Sequence, residues 1–324
     1  MRVREPEGLF ACGDRAKQLS QGSLGARADV DLNAYRLITL NSDRTVGFIN
    51  PFVAINPQAV NAFAMEFMPR ITRAQSMDVL SSQSNLAGYK AVIDAAGLFG
   101  RAFPMMMTAA GTIAAARVLV MGVGVAGLQA IATAKRLGAI VSATDVRLAT
   151  KEQVQSLGGT FVAVEDEETK QAETSGGYAK EMSDAYKAKQ AALIAETIKK
   201  QDVVITTALI PGRPAPVLVT EAMVRTMKPG SIIIDLAAEQ GGNCPLTKAG
   251  ETIEVNGVKI VGAVNLAGRL SADASSLYAR NLFNFLSPMV DKATKALKID
   301  WNDEIIKGTC LTRDGEVIHP AVKA

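Results

Sequence analysis

The stretch Val118–Ala130, VLVMGVGVAGLQA, joins an apolar run to three glycines at fixed spacing. The run Val118–Met121 has the aliphatic character of a buried strand, and helical periodicity follows the glycines. Gly122 permits a tight turn, Gly124 lets a pyrophosphate approach the backbone, and Gly127 allows the helix to pack closely on the strand. The stretch therefore predicts a dinucleotide-binding strand–turn–helix unit, with a glycine-rich packing turn as the alternative.

An acidic residue ends the next apolar run, AIVSATD, 21 residues after Gly124. A carboxylate at this place binds the adenosine ribose hydroxyls and repels a 2′-phosphate, so Asp145 favours NAD(H) over NADP(H). Arg147, at the same turn, has a guanidinium group of the kind that binds a 2′-phosphate. Asp145 is nearer the strand end, and we expect it to determine the nucleotide specificity. Val125 and Val146 complete this group of expected cofactor contacts.

Apolar, strand-like runs alternate with helical patterns from Arg117 to about residue 264. Such alternation is typical of a parallel sheet covered on both faces. The predicted fold is α/β, with a Rossmann-type doubly wound parallel sheet as the NAD(H)-binding domain over residues 101–270. A second lobe is expected from residues 1–100 and 271–324, built from the amino-terminal segment and a carboxyl-terminal helix.

Three finer predictions accompany this fold. Long helices are expected within residues 76–103 and 271–297, on the spacing of their apolar residues. The apolar tract Ala102–Ala134 is interpreted as a buried strand and helix, because its glycines and Arg117 make a poor membrane span. Asn256-Gly257, between two strand-like runs, predicts a hairpin turn.

Two loops are candidates for cofactor contact. TTALIPGRPAP, Thr206–Pro216, follows a strand and so lies at the carboxyl edge of the predicted sheet, where ligands bind in open α/β folds. Thr207 and Leu209 are its expected contacts, with a purely structural loop as the alternative. The stretch TSGGYAKEM places Gly177 and Tyr178 in a polar segment, which indicates a lid or, alternatively, a solvated loop.

Composition excludes several classes of protein. The chain has 324 residues, 48% hydrophobic and 21% charged, with a net charge of +3, which is ordinary for a soluble globular protein and argues against nucleic-acid binding. Its three cysteines are scattered, so we expect no disulfide framework and no metal site. The amino end has no apolar segment of a secretory signal, and a reducing cytoplasm fits this composition.

Five motifs together resemble one family. They are AMEFMPRITRAQSMDVLSSQSNLAGY, GVGVAGLQAIATAKRLGA, TSGGYAKEM, TTALIPGRPAP and IIIDLAAEQGGNCPLT. They closely resemble the NAD(H)-binding component of proton-translocating nicotinamide nucleotide transhydrogenase, the alpha subunit made as a separate soluble chain, whose more distant relative is alanine dehydrogenase. The match runs from about Ala64 to the end of the chain. Earlier residues fit poorly, so we expect an atypical or shortened amino-terminal region and an incomplete first lobe.

The resemblance implies a set of residues at the nicotinamide end of the site. Arg70, Gln75 and Asp78 are expected to surround the reacting ring as catalytic residues, with Ser81 nearby. For Arg70 and Asp78 the alternative is a loop-stabilising ion pair. The same resemblance assigns Asp145 to the adenosine ribose and Gly177 with Tyr178 to the lid.

The resemblance also implies an activity and its partners. NAD(H) held by this chain would exchange hydride with NADP(H) held by a partner component, in a Re/Si-specific reaction coupled to proton translocation. Membrane proton-channel subunits and a homodimer of this chain are further expected partners, and nucleic acid is not. The expected location is cytoplasmic, peripheral to the inner or plasma membrane through the partner subunits.

The scarcity of bases agrees with that reaction. Oxidation of an alcohol or amine requires a general base, whereas hydride exchange between two nicotinamides requires only that the rings be close and oriented. No histidine precedes His319, and Lys17 is the only lysine before Lys90. Alanine dehydrogenase is therefore the weaker enzymatic rival. An NAD-binding relic or regulatory module without turnover is the non-catalytic one.

Overall fold

The computed structural model describes residues 37–40, 46–49, 61–164, 183–210, 214–314 and 316–322. They fall into two compact units: a smaller one within Met1–Gln75 and Pro288–Ala324, and a larger one, Ser76–Ser287. The lobes expected from the sequence, residues 1–100 with 271–324 and residues 101–270, stay a prediction.

The regular elements of the described residues are these. The strands are β1 (Leu37–Leu40), β2 (Val46–Ile49), β3 (Asn61–Ala64), β4 (Met106–Thr108), β5 (Gly111–Ile113), β6 (Arg117–Met121), β7 (Ile140–Thr144), β8 (Thr160–Phe161), β9 (Val203–Thr206), β10 (Ile232–Asp235), β11 (Thr252–Val255), β12 (Val258–Gly262), β13 (Cys310–Arg313) and β14 (Glu316–Val317). The α-helices are α1 (Val79–Leu98), α2 (Val125–Arg136), α3 (Thr150–Ser156), α4 (Asp184–Ile198), α5 (Glu221–Thr226), α6 (Ser271–Leu286) and α7 (Glu304–Thr309).

The smaller unit contains an antiparallel sheet in the order β14-β13-β3-β1-β2. Its buried side chains include Phe63 on β3 and Leu311 on β13. Phe63 stacks on Trp301, with ring centroids 6.4 Å apart. Strands β13 and β14, from the carboxyl-terminal segment, have no counterpart in the sequence prediction.

The larger unit contains a sheet in the order β11-β12-β10-β9-β6-β7-β8. All neighbouring strands are parallel except β11 and β12, so the parallel part has the strand order of a doubly wound dinucleotide-binding sheet. The predicted α/β Rossmann-type fold is confirmed. Asn256 and Gly257 join β11 to β12 with φ of 52° and 75°, which confirms the predicted hairpin turn.

Apolar side chains cover both faces of this sheet. On one face Val92 of α1 and Ile131 of α2 pack in a buried cluster with Val120 of β6. On the other face Ile194 of α4 and Val224 of α5 belong to a second buried cluster. Strands that are buried on both faces carry continuous apolar runs, which is why the sequence displays them clearly.

Two predicted elements end earlier than expected. Helix α6 stops at Leu286 instead of continuing to residue 297, and a 3₁₀ turn over Ser287–Met289 follows it, because Pro288 has no N–H to continue the α-helical hydrogen bonds. The strand expected through TFVAV is limited to Thr160–Phe161 at the sheet edge.

The apolar tract Ala102–Ala134 is exposed from Pro104 to Ala114, although Phe103 is buried, so the prediction of burial is wrong for that stretch. Strands β4 and β5 pair only with each other among the described strands, and every residue from Pro104 to Ala114 is exposed. Met107 is the extreme case, at 78% exposed. We name this segment, Pro104–Ala114, the methionine hairpin. Within the described ranges, no helix has both the length and the apolar character needed to cross a bilayer.

Helices α1 and α2 meet backbone to backbone at Gly88. A Cβ atom at this position would lie 2.1 Å from the carbonyl oxygen of Ala126, so an alanine there must separate the helices. We expect Gly88→Ala to lower the free energy of unfolding by about 1–3 kcal/mol, measured by urea denaturation. Gly97→Ala in the same helix is the control, because nothing lies within 4 Å of its Cβ. Equal stability of the two variants would contradict the close approach.

Candidate functional site

The glycine-rich turn joins β6 to α2 through a tight turn in which backbone atoms approach each other closely. Gly122 has φ of +100°, which favours glycine, and a Cβ on Gly127 would lie 1.9 Å from the carbonyl oxygen of Gly122. The Thr207 hydroxyl donates to that same carbonyl oxygen at 3.0 Å. Both glycines are therefore required by the fold itself, before any ligand is considered.

Gly124 differs from its two neighbours in the motif. It is exposed, its φ of −81° suits any residue, and an added Cβ would have no atom within 4 Å. It is the N-cap of α2, and it has no side chain to occupy the N–H groups of the helix's first turn. Open space beside a helix N-terminus suits an anion such as a pyrophosphate. Val125, the first helical residue, is also exposed.

Asp145 and Arg147 form a tight pair at the end of β7. Oδ1 of Asp145 accepts from the backbone N–H of Arg147 at 2.8 Å and from its Nε at 2.9 Å. Oδ2 accepts from the Val123 N–H at 2.7 Å and from Nη2 of Arg147 at 3.0 Å. The carboxylate thus lies against the glycine-rich turn, and Arg147 must release an oxygen before a ribose hydroxyl can bind there. Val146 beside it is exposed.

The loop after β9 begins at the same edge of the sheet. Thr207 bonds to the glycine-rich turn through its hydroxyl and through its N–H, which donates to Met121 O at 2.9 Å. Leu209 is exposed. The structure therefore brings the glycine-rich turn, Asp145 and Thr207 together, as the sequence predicts for a nucleotide site. Their role in binding stays a prediction.

The polar loop of the sequence, Met68–Asp78, contains a 3₁₀ turn over Thr72–Met77. Arg70 and Gln75 are exposed and fall in the smaller unit, whereas Asp78 falls in the larger one. Asp78 caps α1: its Oδ1 accepts from the N–H of Ser81 at 3.0 Å, and its Oδ2 accepts from the Ser81 hydroxyl. Capping is a structural role for Asp78 and Ser81 beside the one proposed from sequence.

The second arginine of the loop has a clear structural task. Arg73 donates from both terminal nitrogens to the carboxylate of Asp303, at 2.7 and 2.8 Å. These bonds lower the pKa of Asp303, which also caps α7 by accepting from the Ile305 N–H at 2.7 Å. The bidentate pair fastens the loop within the smaller unit.

His319 is committed to backbone contacts. Its Nδ1 accepts from the Ala321 N–H at 3.2 Å, which leaves Nε2 as the donor to Gly308 O at 3.1 Å. Its ring lies against Phe67, with centroids 4.5 Å apart. With both nitrogens engaged, this imidazole is poorly placed to act as a general base.

The described residues include two cysteines, both in the interior. Cys244 and Cys310 are free and buried, and burial raises the pKa of both thiols, to about 11 for Cys310. No group of three or more potential ligands of the His, Cys, Asp and Glu types is found within the described ranges.

Comparison with known proteins places this chain in a family. Residues 91–320 match the family model described as Alanine dehydrogenase/PNT, C-terminal domain. The chain belongs to the alanine dehydrogenase/PNT family. It is 65% identical over 269 residues to the first part of NAD(P) transhydrogenase subunit alpha from Rhodospirillum rubrum, covering 83% of this chain and 70% of that protein.

Two further members of the family frame the comparison. A solved structure of transhydrogenase from Sinorhizobium meliloti has 62% identity and a TM-score of 0.70, covering 79% of this chain and 68% of that one. An alanine dehydrogenase of Bilophila wadsworthia is 32% identical over 230 residues, covering 67% of this chain and 54% of that protein. NAD(H)-type nucleotide binding follows for a member of this family.

The sequence does not single out two buried polar residues at this edge of the sheet. Asp235, at the end of β10, and Asn243, eight residues later, are both fully buried. A polar residue that ends an apolar strand is the available signal for Asp235. For Asn243 only its place after two glycines distinguishes it. The predicted lid residues Gly177 and Tyr178 lie outside the described residues.

Proposed function

We propose that this chain is the NAD(H)-binding subunit of a proton-translocating NAD(P) transhydrogenase. Hydride passes between NAD(H) on this chain and NADP(H) on a partner component, and membrane proton-channel subunits couple the transfer to proton translocation. The observation that carries the proposal is the 65% identity to the first part of an NAD(P) transhydrogenase alpha subunit, against 32% to an alanine dehydrogenase.

The choice of NAD(H) rests on Asp145. Its carboxylate accepts a hydrogen bond from the Val123 N–H of the glycine-rich turn, and an acid at the end of this strand is the residue type that binds the adenosine ribose in dinucleotide-binding folds. A 2′-phosphate would meet this negative charge at close range. NADP(H) is therefore assigned to the partner component.

The chemistry asks for orientation and for no general base. Bound NAD(H) supplies or accepts the hydride. On this chain, Gly124 and the start of α2 hold the pyrophosphate, Asp145 holds the ribose, and Arg70, Gln75 and Asp78 orient the nicotinamide ring towards the partner. The occupied nitrogens of His319 agree with a reaction that moves no proton on the substrate.

The methionine hairpin supports a homodimer. It exposes Met105, Met106, Met107 and Ile113, and the sequence has no charged residue between Arg101 and Arg117. An isolated two-stranded hairpin is marginally stable in water, and its unpaired edges invite another strand. A second copy of this uncharged surface brings no like charges together, so we assign it as the contact between two copies.

The proposed complex lies on the cytoplasmic side of the inner or plasma membrane.

The proposal is tested by mixing the purified chain with a separately prepared NADP(H)-binding component of a transhydrogenase. NADH should reduce thio-NADP⁺ in the mixture and in neither protein alone. Oxidation of NADH by this chain alone with pyruvate and ammonia would identify an alanine dehydrogenase instead. Binding of NADH without turnover in the mixture would identify a binding module.

Gln75→Asn in the same mixture tests the ring-orienting role of the polar loop. The shorter side chain keeps the amide but withdraws it, so we expect turnover to fall about tenfold, with the Kd for NADH changed less than about threefold. Ser156→Ala, an exposed change on α3, is the control and should alter neither quantity. Equal losses in turnover and affinity would show that Gln75 only binds the nucleotide.

A further inference from the structure

Asn243 connects the end of strand β10 to the loop that follows strand β9. It is fully buried in the larger unit, and its side-chain amide makes three hydrogen bonds with backbone groups of the loop that follows β9. Oδ1 accepts from the Ala208 N–H at 3.1 Å, and Nδ2 donates to the carbonyl oxygens of Ala208 at 2.9 Å and Pro216 at 2.8 Å. Since one end of the amide accepts and the other donates, the orientation of the side chain is determined.

This amide acts on Ala208 as a neighbouring strand would. It satisfies both the N–H and the carbonyl group of one residue, directly beyond the end of β9. The bond to Pro216 then ties the other arm of the loop to the same side chain. The backbone N–H of Ala215 also donates to Gln240 O at 2.9 Å. Neighbouring residues of the loop, Ala215 and Pro216, are therefore both hydrogen-bonded to the stretch that contains Gln240 and Asn243.

Asn243 is itself anchored by a buried carboxylate. Its N–H donates to Oδ2 of Asp235 at 2.8 Å, and its carbonyl oxygen accepts from the N–H groups of Leu218 and Val219 at 2.8 and 3.0 Å. Asp235 accepts four further bonds, from the Thr206 hydroxyl, the Ala237 N–H, the Cys244 N–H and the Thr247 hydroxyl. A carboxylate held by five donors at a strand end is a rigid fixed point.

The residues on either side of Ala208 are the ones expected to contact the nucleotide. Thr207 bonds to the carbonyl oxygen of Gly122 at 3.0 Å, and Leu209 is exposed at the same edge. A shift of Ala208 therefore moves both contacts and disturbs the glycine-rich turn. The chain of hydrogen bonds from Asp235 through Asn243 ends at Ala208, between these two residues.

We propose that Asn243 is a positioning residue for NAD(H), with Asp235 as its anchor. Neither side chain needs to touch the nucleotide. Asn243 holds Ala208 in place so that Thr207 and Leu209 meet a preformed site, and loss of its amide weakens binding by leaving that site unformed. The inference rests on the proposed function for the identity of the nucleotide.

The test compares Asn243→Asp with Thr247→Val, using NADH fluorescence on the full chain alone. Aspartate has the size of asparagine but places a carboxylate oxygen against the carbonyl oxygens of Ala208 and Pro216. Valine at position 247 removes one donor to Asp235 and leaves the Asn243 amide in place, so it controls for loss of stability. Asn243→Ala is the second variant, which removes the amide without adding repulsion.

We expect Asn243→Asp and Asn243→Ala to raise the Kd for NADH about tenfold or more, and Thr247→Val less than about threefold, at a temperature where all are folded. Hydrogen–deuterium exchange without nucleotide supplies a readout in the wild type itself: the Ala208 amide should be protected. Fast exchange there, or equal Kd values for all variants, would overturn the inference alone. A wild-type chain that binds no NADH would overturn the proposed function and this inference with it.

Discussion

An alanine at position 124 is expected to weaken NADH binding about 100-fold while leaving the fold intact. The added Cβ meets no atom within 4 Å, and the φ of −81° suits alanine, so the free energy of unfolding should not change measurably. The methyl group would occupy the space next to the first turn of α2 where the pyrophosphate is proposed to lie. Losing two charge-assisted hydrogen bonds costs about 3 kcal/mol, which gives this fold-change.

Gly127→Ala is the matched control for Gly124→Ala, because it adds the same methyl group to the same turn at a position where the fold has no room for it. Its Cβ would lie 1.9 Å from the carbonyl oxygen of Gly122, so it should lower the thermal midpoint as well as binding. Titration of NADH and thermal denaturation of both variants separate the two effects. A Gly124→Ala variant that binds NADH like the wild type would show that the pyrophosphate does not lie on this turn.

Replacement of Asp145 by asparagine is expected to reverse the nucleotide preference. In the wild type the carboxylate holds Arg147 through Nε and Nη2, and under the proposed function it faces the 2′-position of the adenosine ribose. Without its charge, the bonds to the ribose hydroxyls weaken by about 3 kcal/mol, so the Kd for NADH should rise about 100-fold. The released guanidinium gains a 2′-phosphate, and the Kd for NADPH should fall about tenfold.

The double variant, Asp145→Asn with Arg147→Ala, isolates the arginine. It should lose the gain in NADPH affinity while keeping the loss in NADH affinity. Arg147→Ala alone should bind NADH within about threefold of the wild type, since Asp145 keeps its charge and its bond to the Val123 N–H. If Asp145→Asn continues to prefer NADH over NADPH, discrimination comes from another region of the chain.

The sheet and the nucleotide edge can be predicted from sequence because their signals are local. Strands such as Ile232–Asp235 are buried on both faces and therefore form unbroken apolar runs. The glycine spacing at 122, 124 and 127 and the acid at 145 lie on consecutive elements, so the chain order itself brings them together. The same is true of Thr207, which directly follows β9.

The hydrogen-bond network around Asn243 cannot be predicted in the same way. Its partners Ala208 and Pro216 are 35 and 27 residues away, and no periodicity relates them. The role of Asp78 is also ambiguous in the sequence, because an aspartate before a helix can either cap the helix or contact a ligand. Only the bonds to Ser81 reveal the capping role.

The burial predicted for the methionine hairpin fails for a different reason. An apolar run predicts burial, and the sequence does not say whether the covering surface belongs to the same chain or to another one. In this chain the segment Pro104–Ala114 is exposed in the larger unit. The apolar pattern therefore predicts that the hairpin lies in the core of this chain, and this prediction is wrong.

Isotope transfer tests the central proposal most directly. NADH carrying deuterium at the reactive C4 position is mixed with this chain, a separate NADP(H)-binding component and NADP⁺ in ordinary water, and the NADPH formed is analysed by mass spectrometry. Direct passage of hydride between two oriented rings predicts that each NADPH carries the deuterium. NADPH that carries hydrogen from the solvent, or formation of none in the complete mixture, would contradict the account.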